Sequence, residues 1–364
     1  MNLIVVRLKN SEEKQNIDWR KRTVNIVIKL LLAAIALGFF SLIFGSGEFY
    51  SPSILIQTLS GGGEVNDRII IWLLRFPRMV MAFEVGAALA LAGLSLQSLL
   101  KNPLVEPYLI GASSGAAFGA AVVMVLIPLV GGAFALQGSL AAFSIGTRVL
   151  LSVAAFAGAL GAITFLYVSS YKSGDFSTRR LILMGVVLGA FLSALVAFLI
   201  IASGESLRQV IWWLMGSMEI GPRNGWMILG PIVLFVWIYL FRRSYMMNLL
   251  SQGEDTASGL GVRVKNLKKE ILVASAILTA SAVSMSGVIG FVGLIVPHYF
   301  RMKFGPDNRF LVPVTGLGGG ILLMAADLIA QNILSVGEIP IGIITTILGA
   351  PFFWFVLRNS AMDR

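Results

Sequence analysis

The chain has 364 residues, of which 57% are apolar and 13% charged, and its formal net charge is +10. A soluble domain carries about 25% charged residues, so the low charged fraction indicates a chain that lies mainly within a lipid bilayer. The absence of cysteine excludes disulfides and thiolate sites, and the single histidine, His298, excludes a histidine-based metal cluster. We therefore expect no metal site and no catalytic residue. The scattered basic residues argue against nucleic-acid binding.

The N-terminal residues 1–25 are polar and basic, and we predict that they form a cytoplasmic segment. The apolar block that follows is too long for the core of a typical cleaved signal peptide, so it is interpreted as a retained span. Further apolar blocks come at intervals, and about 20 residues are needed to cross a bilayer core of about 30 Å. The first six predicted spans are 26–45, 79–100, 108–128, 149–171, 181–202 and 225–241.

Short loops rich in Lys and Arg stay in the cytoplasm, and this rule assigns a side to each gap. Six spans bring the chain to the basic gap 242–269, and the next basic gap, 301–309, must also be cytoplasmic. The apolar block 271–300 therefore leaves and returns, either as two short crossings or as one crossing and a re-entrant piece. Spans at 310–331 and 339–357 complete an all-α polytopic membrane protein of about ten helices, with both termini inside.

The predicted external segment 205–223 contains an apolar stretch, 209–215, that is too short to cross the bilayer. We interpret this stretch as an interfacial helix anchored by Trp212 and Trp213. A lid over a transport pathway is the alternative, and both interpretations keep the segment outside.

A series of motifs resembles, in order and spacing, the FecCD-type (BtuC-like) permeases of ATP-binding cassette importers for ferric siderophores, haem and vitamin B12. The resemblance covers about residues 30–358. The motifs are Arg75-Phe76-Pro77-Arg78, the small-residue run 85–93, Lys101-Asn102-Pro103-Leu104-Val105-Glu106-Pro107, Gly111 to Ala116, Gly253-Glu254, Leu260-Gly261-Val262, Ser286 to His298, Gly305-Pro306-Asp307, Glu338 to Gly342 and Gly349 to Phe353.

The resemblance implies a transmembrane permease domain over 26–358 and a cytoplasmic tail over 359–364, in the cytoplasmic membrane of a prokaryote. It implies four kinds of neighbour: a second permease copy or paralogue, two cytoplasmic ATPase subunits, an extracytoplasmic binding protein and the lipid bilayer. No cofactor is expected on this chain, because ATP and Mg would bind the ATPase subunits. The chain lacks a Gly-x-x-x-x-Gly-Lys-Ser/Thr phosphate loop, so we predict that it is not an enzyme.

The predicted cytoplasmic region 243–268 resembles the family's coupling helices, which sit in a groove of the ATPase. A short helix with an apolar face can convert ATPase closure into movement of the spans, and glycines provide its turns. The residues assigned to coupling are Gly253, Glu254, Asp255, Leu260, Gly261 and Val262. A surface loop without a partner is the alternative.

On the other side, Arg75 and Arg78 flank Pro77 just before the second predicted span. The family's similar pair receives carboxylates of the binding protein, and arginine suits such bidentate contacts. Anchoring to lipid phosphate is the alternative. The family often has a third arginine after the ninth span, where this chain has Gln331.

The residues that match the family's cytoplasmic gate are Asn102, Leu104, Ser177, Thr178 and Arg179. Arg179 is bulkier than the small hydroxyl residue of the vitamin B12 relative, so the gate contacts are expected to differ. A structural alternative is that Asn102 caps a helix and Arg179 only obeys the positive-inside rule.

Glu84 lies about two turns inside the second predicted span, where an unpaired charge costs several kcal/mol. It is a candidate pathway residue, with a structural hydrogen bond or snorkelling to the outer surface as alternatives. A proton-coupled secondary transporter that uses Glu84 and Asp327 is the competing function, although a shared structural bond is favoured for Asp327. The cargo predicted first is a ferric siderophore, followed by haem, vitamin B12 and oxyanions such as molybdate.

Overall fold

The computed structural model describes the backbone of residues 2–45, 48–130, 145–172, 175–176, 178–202, 207–334 and 337–362. It describes the side chains at these positions except at 2–20, 48, 109–110, 126–130, 145, 171–172, 175–176, 178–179, 202, 207–209, 357 and 359–362.

Nearly all of the described backbone is helical. The α-helices are α1 (Asn2–Ile43), α2 (Pro52–Leu59), α3 (Val65–Arg68), α4 (Phe76–Leu100), α5 (Ala112–Val130), α6 (Ile145–Ser170), α7 (Thr178–Ala202), α8 (Leu207–Met215), α9 (Trp226–Gln252), α10 (Glu254–Gly259), α11 (Val264–Ser286), α12 (Val292–Phe304), α13 (Asn308–Asn332) and α14 (Ile341–Met362). A π-helix (Ile69–Arg75) joins α3 to α4, and a 3₁₀ helix (Pro107–Ile110) precedes α5. Two short antiparallel pairs complete the set: β1 (Phe44–Gly45) with β2 (Glu48–Phe49), and β3 (Tyr171–Lys172) with β4 (Asp175–Phe176).

Seven helical segments of the described chain are long and apolar enough to cross a membrane. They are Lys21–Ile43, Val65–Leu100, Gly146–Ser170, Arg180–Ile201, Trp226–Gln252, Val264–Ser286 and Asn308–Asn332. Ala112–Val125 and Ile341–Val356 are shorter apolar helices. Together with α12, these helices occupy the ten predicted positions, and the prediction of an all-α polytopic fold is confirmed.

Helix α4 is the central element, since it packs against α9, α11, α12 and α13. Its small residues bring backbones into direct contact. A Cβ atom at Gly86 would overlap the carbonyl of Gly319 in α13, and one at Gly93 would overlap the carbonyl of Gly293 in α12. Such close approach is how helices associate in lipid, where apolar burial alone gives no preference for a protein neighbour.

The predicted break in the block 271–300 lies between α11 and α12. The chain leaves α11 at Gly287, whose φ is 69°, and enters α12 through Phe291, whose φ is 68°. Helix α12 has 13 residues, or about 20 Å at about 1.5 Å per residue, which is less than a bilayer core of about 30 Å. The block therefore contains one full-length helix and one shorter helix.

The segment containing α8 packs more deeply than predicted. Trp213 is 1% exposed and lies in an apolar cluster with residues of α5, α6 and α11. Gly216 O accepts from Ile341 N at 3.0 Å, and Ser217 N donates to Ser286 O at 2.8 Å. The interfacial interpretation is therefore wrong for Trp213, because its ring fills a gap between helices.

Helix α9 extends eleven residues beyond the predicted end of the sixth span, from 241 to Gln252. Neither Gly nor Pro occurs between Pro231 and Gly253, so no residue interrupts the helix there. The predicted coupling region 243–268 thus begins as a continuation of a span.

Candidate functional site

A cluster of charged side chains lies at the end of the molecule that we predict to be external. Arg78, in the first turns of α4, donates from Nη2 to Asp327 Oδ1 at 2.9 Å and from Nη1 to Glu338 Oε1 at 2.9 Å. Glu219 Oε1 lies 3.5 Å from Arg78 Nη1, and Gln331 donates to Asp327 at 2.6 Å. The side chains of Arg78 and Asp327 are only 13% and 3% exposed. This network joins α4, α13 and two loops.

Arg75 occupies a different environment from Arg78. Its side chain donates to the carbonyls of Leu42 at 2.8 Å, Ile43 at 3.0 Å and Gly45, and its guanidinium stacks over Tyr50. It is 6% exposed. The docking prediction therefore has no geometric support at Arg75, because its guanidinium is buried and holds the end of α1.

A cavity of about 350 Å³ lies beside this charged network. Arg78, Arg148 and Arg223 line it, together with Glu219. Burial and the neighbouring Glu338 raise the pKa of Glu219, while Arg78 and Arg148 oppose that rise. Arg148 Nη1 also donates to the Glu219 carbonyl at 3.2 Å. Arg75 lines it as well, so four arginines line the cavity, and Arg148 and Arg223 lie outside the motif that predicted docking.

The predicted coupling region contains a short helix at the opposite end of α9. Helix α10 has six residues and follows Gly253, whose φ of 140° turns the chain sharply. Asp255 is exposed and Leu260 is 62% exposed, whereas Val262 is 9% exposed and packs inside. The region thus contains a short acidic helix followed by an exposed leucine, and its role in coupling stays a prediction.

Glu254 has a structural partner within the chain. Its Oε1 lies 2.6 Å from Lys268 Nζ, and the Lys268 side chain is only 6% exposed. Lys268 belongs to α11, so this ion pair braces α10 against a long apolar helix. The sequence did not indicate the partner, because a lysine in a basic loop ordinarily faces water.

A second brace holds the end of α9 that we predict to be cytoplasmic. Asn248 donates to Asp307 Oδ1 at 2.6 Å and accepts from the backbone of Asn308 at 2.8 Å. Asn308 in turn accepts from Ser98 of α4 at 3.1 Å. Burial opposes the ionisation of Asp307, but bonds from Arg309 and Asn248 hold its pKa below the ordinary value. These bonds tie the end of α9 to the start of α13 and to α4.

The predicted gate residues of the first loop form a turn after α4. Lys101 ends the helix with a φ of 49°, and Asn102 Oδ1 accepts from Leu104 N at 3.0 Å. The Asn102 side chain therefore closes a turn within the loop and does not cap a described helix, while Leu104 is 37% exposed. Of the other three positions, Ser177 lies outside the described residues, and Thr178 and Arg179 are described only as the backbone that begins α7.

A larger cavity, of about 540 Å³, lies between the loop after α4, the α11–α12 connection and α14. Glu106, Tyr108 and Phe291 line it, and Thr346 and Ile347 form its α14 wall. Glu106 accepts a hydrogen bond from the backbone N–H of Phe291. The sequence marked Glu106 only as part of a motif and gave it no role.

Glu84 lies on the side of α4 that faces α9. A Cβ atom at Gly230 would overlap Glu84 Oε1, so the two helices touch at this point. Glu84 Oε2 is buried and has no hydrogen-bond partner among the described residues. Glu84 lines neither of the two cavities described above, so its pathway role stays a prediction without geometric support.

The model of the FecCD transport family matches residues 31–359. The chain belongs to the FecCD transport family. It is 39% identical over 319 residues to the cobalamin import system permease protein BtuC of Halobacterium salinarum, covering 86% of this chain and 81% of the relative. It is 36% identical over 334 residues to the hemin transport system permease protein HmuU of Yersinia pestis, covering 91% and 96%.

The fold agrees with this family. A solved inward-facing structure of a metal-chelate type ABC transporter has a TM-score of 0.78 and 31% identity to this chain, covering 92% of this chain and 99% of that one. The chain is therefore a multi-span permease of the FecCD and BtuC type from ATP-binding cassette importers, and the resemblance predicted from the motifs is confirmed.

Proposed function

We propose that this permease moves a bulky metal chelate across the cytoplasmic membrane of a prokaryote, driven by ATP hydrolysis on two partner subunits. The observation that carries this proposal is that α9 is continuous to Gln252 and is followed, after Gly253, by the exposed helix α10. Because α10 is braced to α11 through Glu254 and Lys268, a partner that pushes on it would move two long helices together.

In this proposal the ATPase subunits bind the exposed residues of α10 and the turn that follows. Asp255 and Leu260 provide the contact surface, while Gly253 and Gly261 set the angle of the chain with φ values of 140° and 84°. Glu254 positions the helix and Val262 anchors it. ATP and Mg belong to the partner subunits.

We further propose that a second permease copy or paralogue packs against the face that contains the 540 Å³ cavity. Ile347 and Leu348 of α14 are 62% and 46% exposed, and Ile347 lines the cavity. A cavity walled by one chain on one side would become an enclosed pathway when a second chain covers it. The gate residues at 102–104 and 177–179 would close its cytoplasmic end.

The binding protein would dock at the opposite end, over the 350 Å³ cavity. Arginines there offer bidentate partners to carboxylates. Arg78 is part of the proposed docking surface, whereas Arg75 has a structural role because it binds the carbonyls at the end of α1. We propose the domain boundaries 1–25, 26–358 and 359–364, with α10 and both termini on the cytoplasmic side.

The cargo that we propose first is a ferric siderophore, with cobalamin, haem and molybdate as alternatives. The two named relatives carry cobalamin and hemin, both of which are bulky metal chelates. Mass spectrometry of the ligand that co-purifies with the cognate binding protein decides among them. Recovery of a ligand that contains no metal would contradict the chelate class.

The competing function, a proton-coupled secondary transporter, would need Glu84 and Asp327 to exchange protons. Asp327 is instead held by Arg78 and Gln331 at 2.9 and 2.6 Å. A deletion of 254–261 distinguishes the two functions: the importer loses its ATPase subunits on purification, whereas a proton-coupled carrier keeps its activity. Retained ATPase binding after the deletion would contradict the proposed coupling surface.

A further inference from the structure

Two basic side chains from distant parts of the chain meet at one aromatic ring. The Arg22 guanidinium of α1 lies 5.4 Å from the centre of the Phe304 ring, and the Lys303 ammonium of α12 lies 5.6 Å from the same centre. Because both cations are within 5.6 Å of one point, they are separated by no more than twice that distance. Such cation–π contacts hold the two groups in place but do not neutralise their charge.

Lys303 is also held by a second ring. Its Nζ donates to the Tyr299 hydroxyl at 3.3 Å and lies 5.6 Å from the centre of the Tyr299 ring. Tyr299 is 43% exposed, and tyrosine is enriched at the headgroup level of a bilayer. The position of Lys303 is therefore set by two aromatic residues in the last turns of α12.

Neither Arg22 nor Lys303 pairs with an acid among the side chains that the structure describes. All the described ion pairs involve other basic residues. Asp307 follows Phe304 closely in the chain, but it is paired with Arg309 at 2.7 Å. Arg22 and Lys303 are both exposed, so two like charges lie near each other where an anion from outside the chain can reach them.

A third cation lies on the same face of α1. Lys29 follows Arg22 after two helical turns, and residues at this spacing share one face of a helix. Lys29 is exposed and lies inside Lys21–Ile43, which is long and apolar enough to cross a membrane. A charge at such a position is costly unless the long side chain reaches the headgroups or an anion. Lys29 has no ion pair with a described acid either.

The three cations lie near one edge of the predicted bilayer, beside lipid-facing apolar side chains. Arg22 is near the start of the first span and Lys303 is next to the last residue of α12, and the basic gaps predict that both ends are cytoplasmic. Ile28 and Met302 are 47% and 61% exposed. A ligand here would meet cations at the membrane surface and apolar side chains next to them. An anionic headgroup with acyl chains has this chemistry.

We propose that Arg22, Lys29 and Lys303 bind the phosphate of an anionic phospholipid from the cytoplasmic leaflet, with the Phe304 ring positioning two of the three cations. Basic pockets between spans on the cytoplasmic side are suited to such headgroups. The lipid would connect α1 to α12, which are distant in the sequence. Inorganic phosphate offers the same anionic group without acyl chains. The site depends on the membrane fold and not on the proposed transport function.

The test uses the full chain in vesicles of equimolar phosphatidylcholine and phosphatidylglycerol. Since the protein has no cysteine, a fluorophore attaches only at an introduced position, here Met302→Cys. One of the two lipids carries a nitroxide on its acyl chain, and the quenching by each labelled lipid is measured in turn. The ratio of the two gives the preference of this position for phosphatidylglycerol.

We expect the parent to prefer phosphatidylglycerol severalfold. Each of Arg22→Gln, Lys29→Gln and Lys303→Gln should lower the preference by up to about fivefold, because a basic residue near the surface attracts anionic lipid by about 1 kcal/mol. The triple variant should show no preference. Phe304→Leu keeps every charge but removes the shared ring, so its preference should fall as well.

The matched control removes two exposed basic residues elsewhere on the predicted cytoplasmic side, Arg263→Gln with Lys265→Gln, and should keep the parent's preference. Gel filtration and circular dichroism in phosphatidylcholine alone show that each variant is folded. Equal losses in the control and the triple variant, or an unchanged preference in Phe304→Leu, would reduce the effect to diffuse attraction and overturn the site. Inorganic phosphate at matched ionic strength should leave the preference intact, and its complete loss would overturn the assignment to lipid.

Discussion

Replacing Arg78 by methionine is expected to destabilise the fold sharply. The change removes the cation from the network and leaves Asp327, which is 3% exposed, with Gln331 as its remaining bond among those described. Glu338 and Glu219, 25% and 62% exposed, can turn toward water and cost little. Breaking a buried ion pair by deleting one partner costs about 3–5 kcal/mol, so we expect a loss near the lower limit.

The loss is measured by detergent-titrated unfolding in mixed micelles, followed by circular dichroism. The double variant Arg78→Met with Asp327→Leu removes both charges and should recover most of the stability, because an apolar pair of similar volume fits this environment. Arg223→Met, at an exposed arginine of the same cavity, is the control and should change stability by less than about 0.5 kcal/mol. Equal stability of Arg78→Met and the parent, or no recovery in the double variant, would refute the reasoning.

Two further predictions concern packing and coupling. Gly93→Ala should cost about 1–3 kcal/mol of stability, because its Cβ atom would overlap the Gly293 carbonyl. Gly161→Ala, which has open space around it, should be neutral or stabilising in the same unfolding assay. Equal effects of the two substitutions would contradict the packing argument. Glu254→Gln should weaken co-purification of the ATPase subunits and should also cost about 1–3 kcal/mol in unfolding, because Lys268, which is 6% exposed, loses its carboxylate partner. Asp255→Asn is its matched control, and unchanged ATPase recovery in Glu254→Gln would show that the brace is dispensable.

The helices could be predicted from the sequence because lipid demands long apolar blocks and charge decides their direction. The end of α9 was predicted too early for a physical reason: the basic residues Arg242 and Arg243 mark the edge of the membrane, but only Gly253 ends the helix. The end of the membrane span and the end of the helix are therefore set by different residues. The α11–α12 break was predictable from its glycines, although the strain at Phe291 was not.

The site was less predictable because its contacts join residues far apart in the chain. Arg75 and Arg78 belong to one motif, yet one binds the carbonyls that end α1 and the other binds carboxylates of α13 and its following loop. No feature of the surrounding sequence distinguishes the environments of the two arginines. Arg148 stands alone in its segment and Lys268 is one of several basic residues in its own, so only the folded chain shows that they face Glu219 and Glu254.

The most direct test of the account is uptake by the reconstituted importer. Proteoliposomes that contain this chain, its ATPase subunits and its binding protein are loaded with ATP inside, and accumulation of the radiolabelled chelate is measured with and without a proton gradient. We predict accumulation that needs ATP and the binding protein, is indifferent to the gradient, and is lost when 254–261 is deleted. Accumulation by the chain alone in a proton gradient would contradict the account.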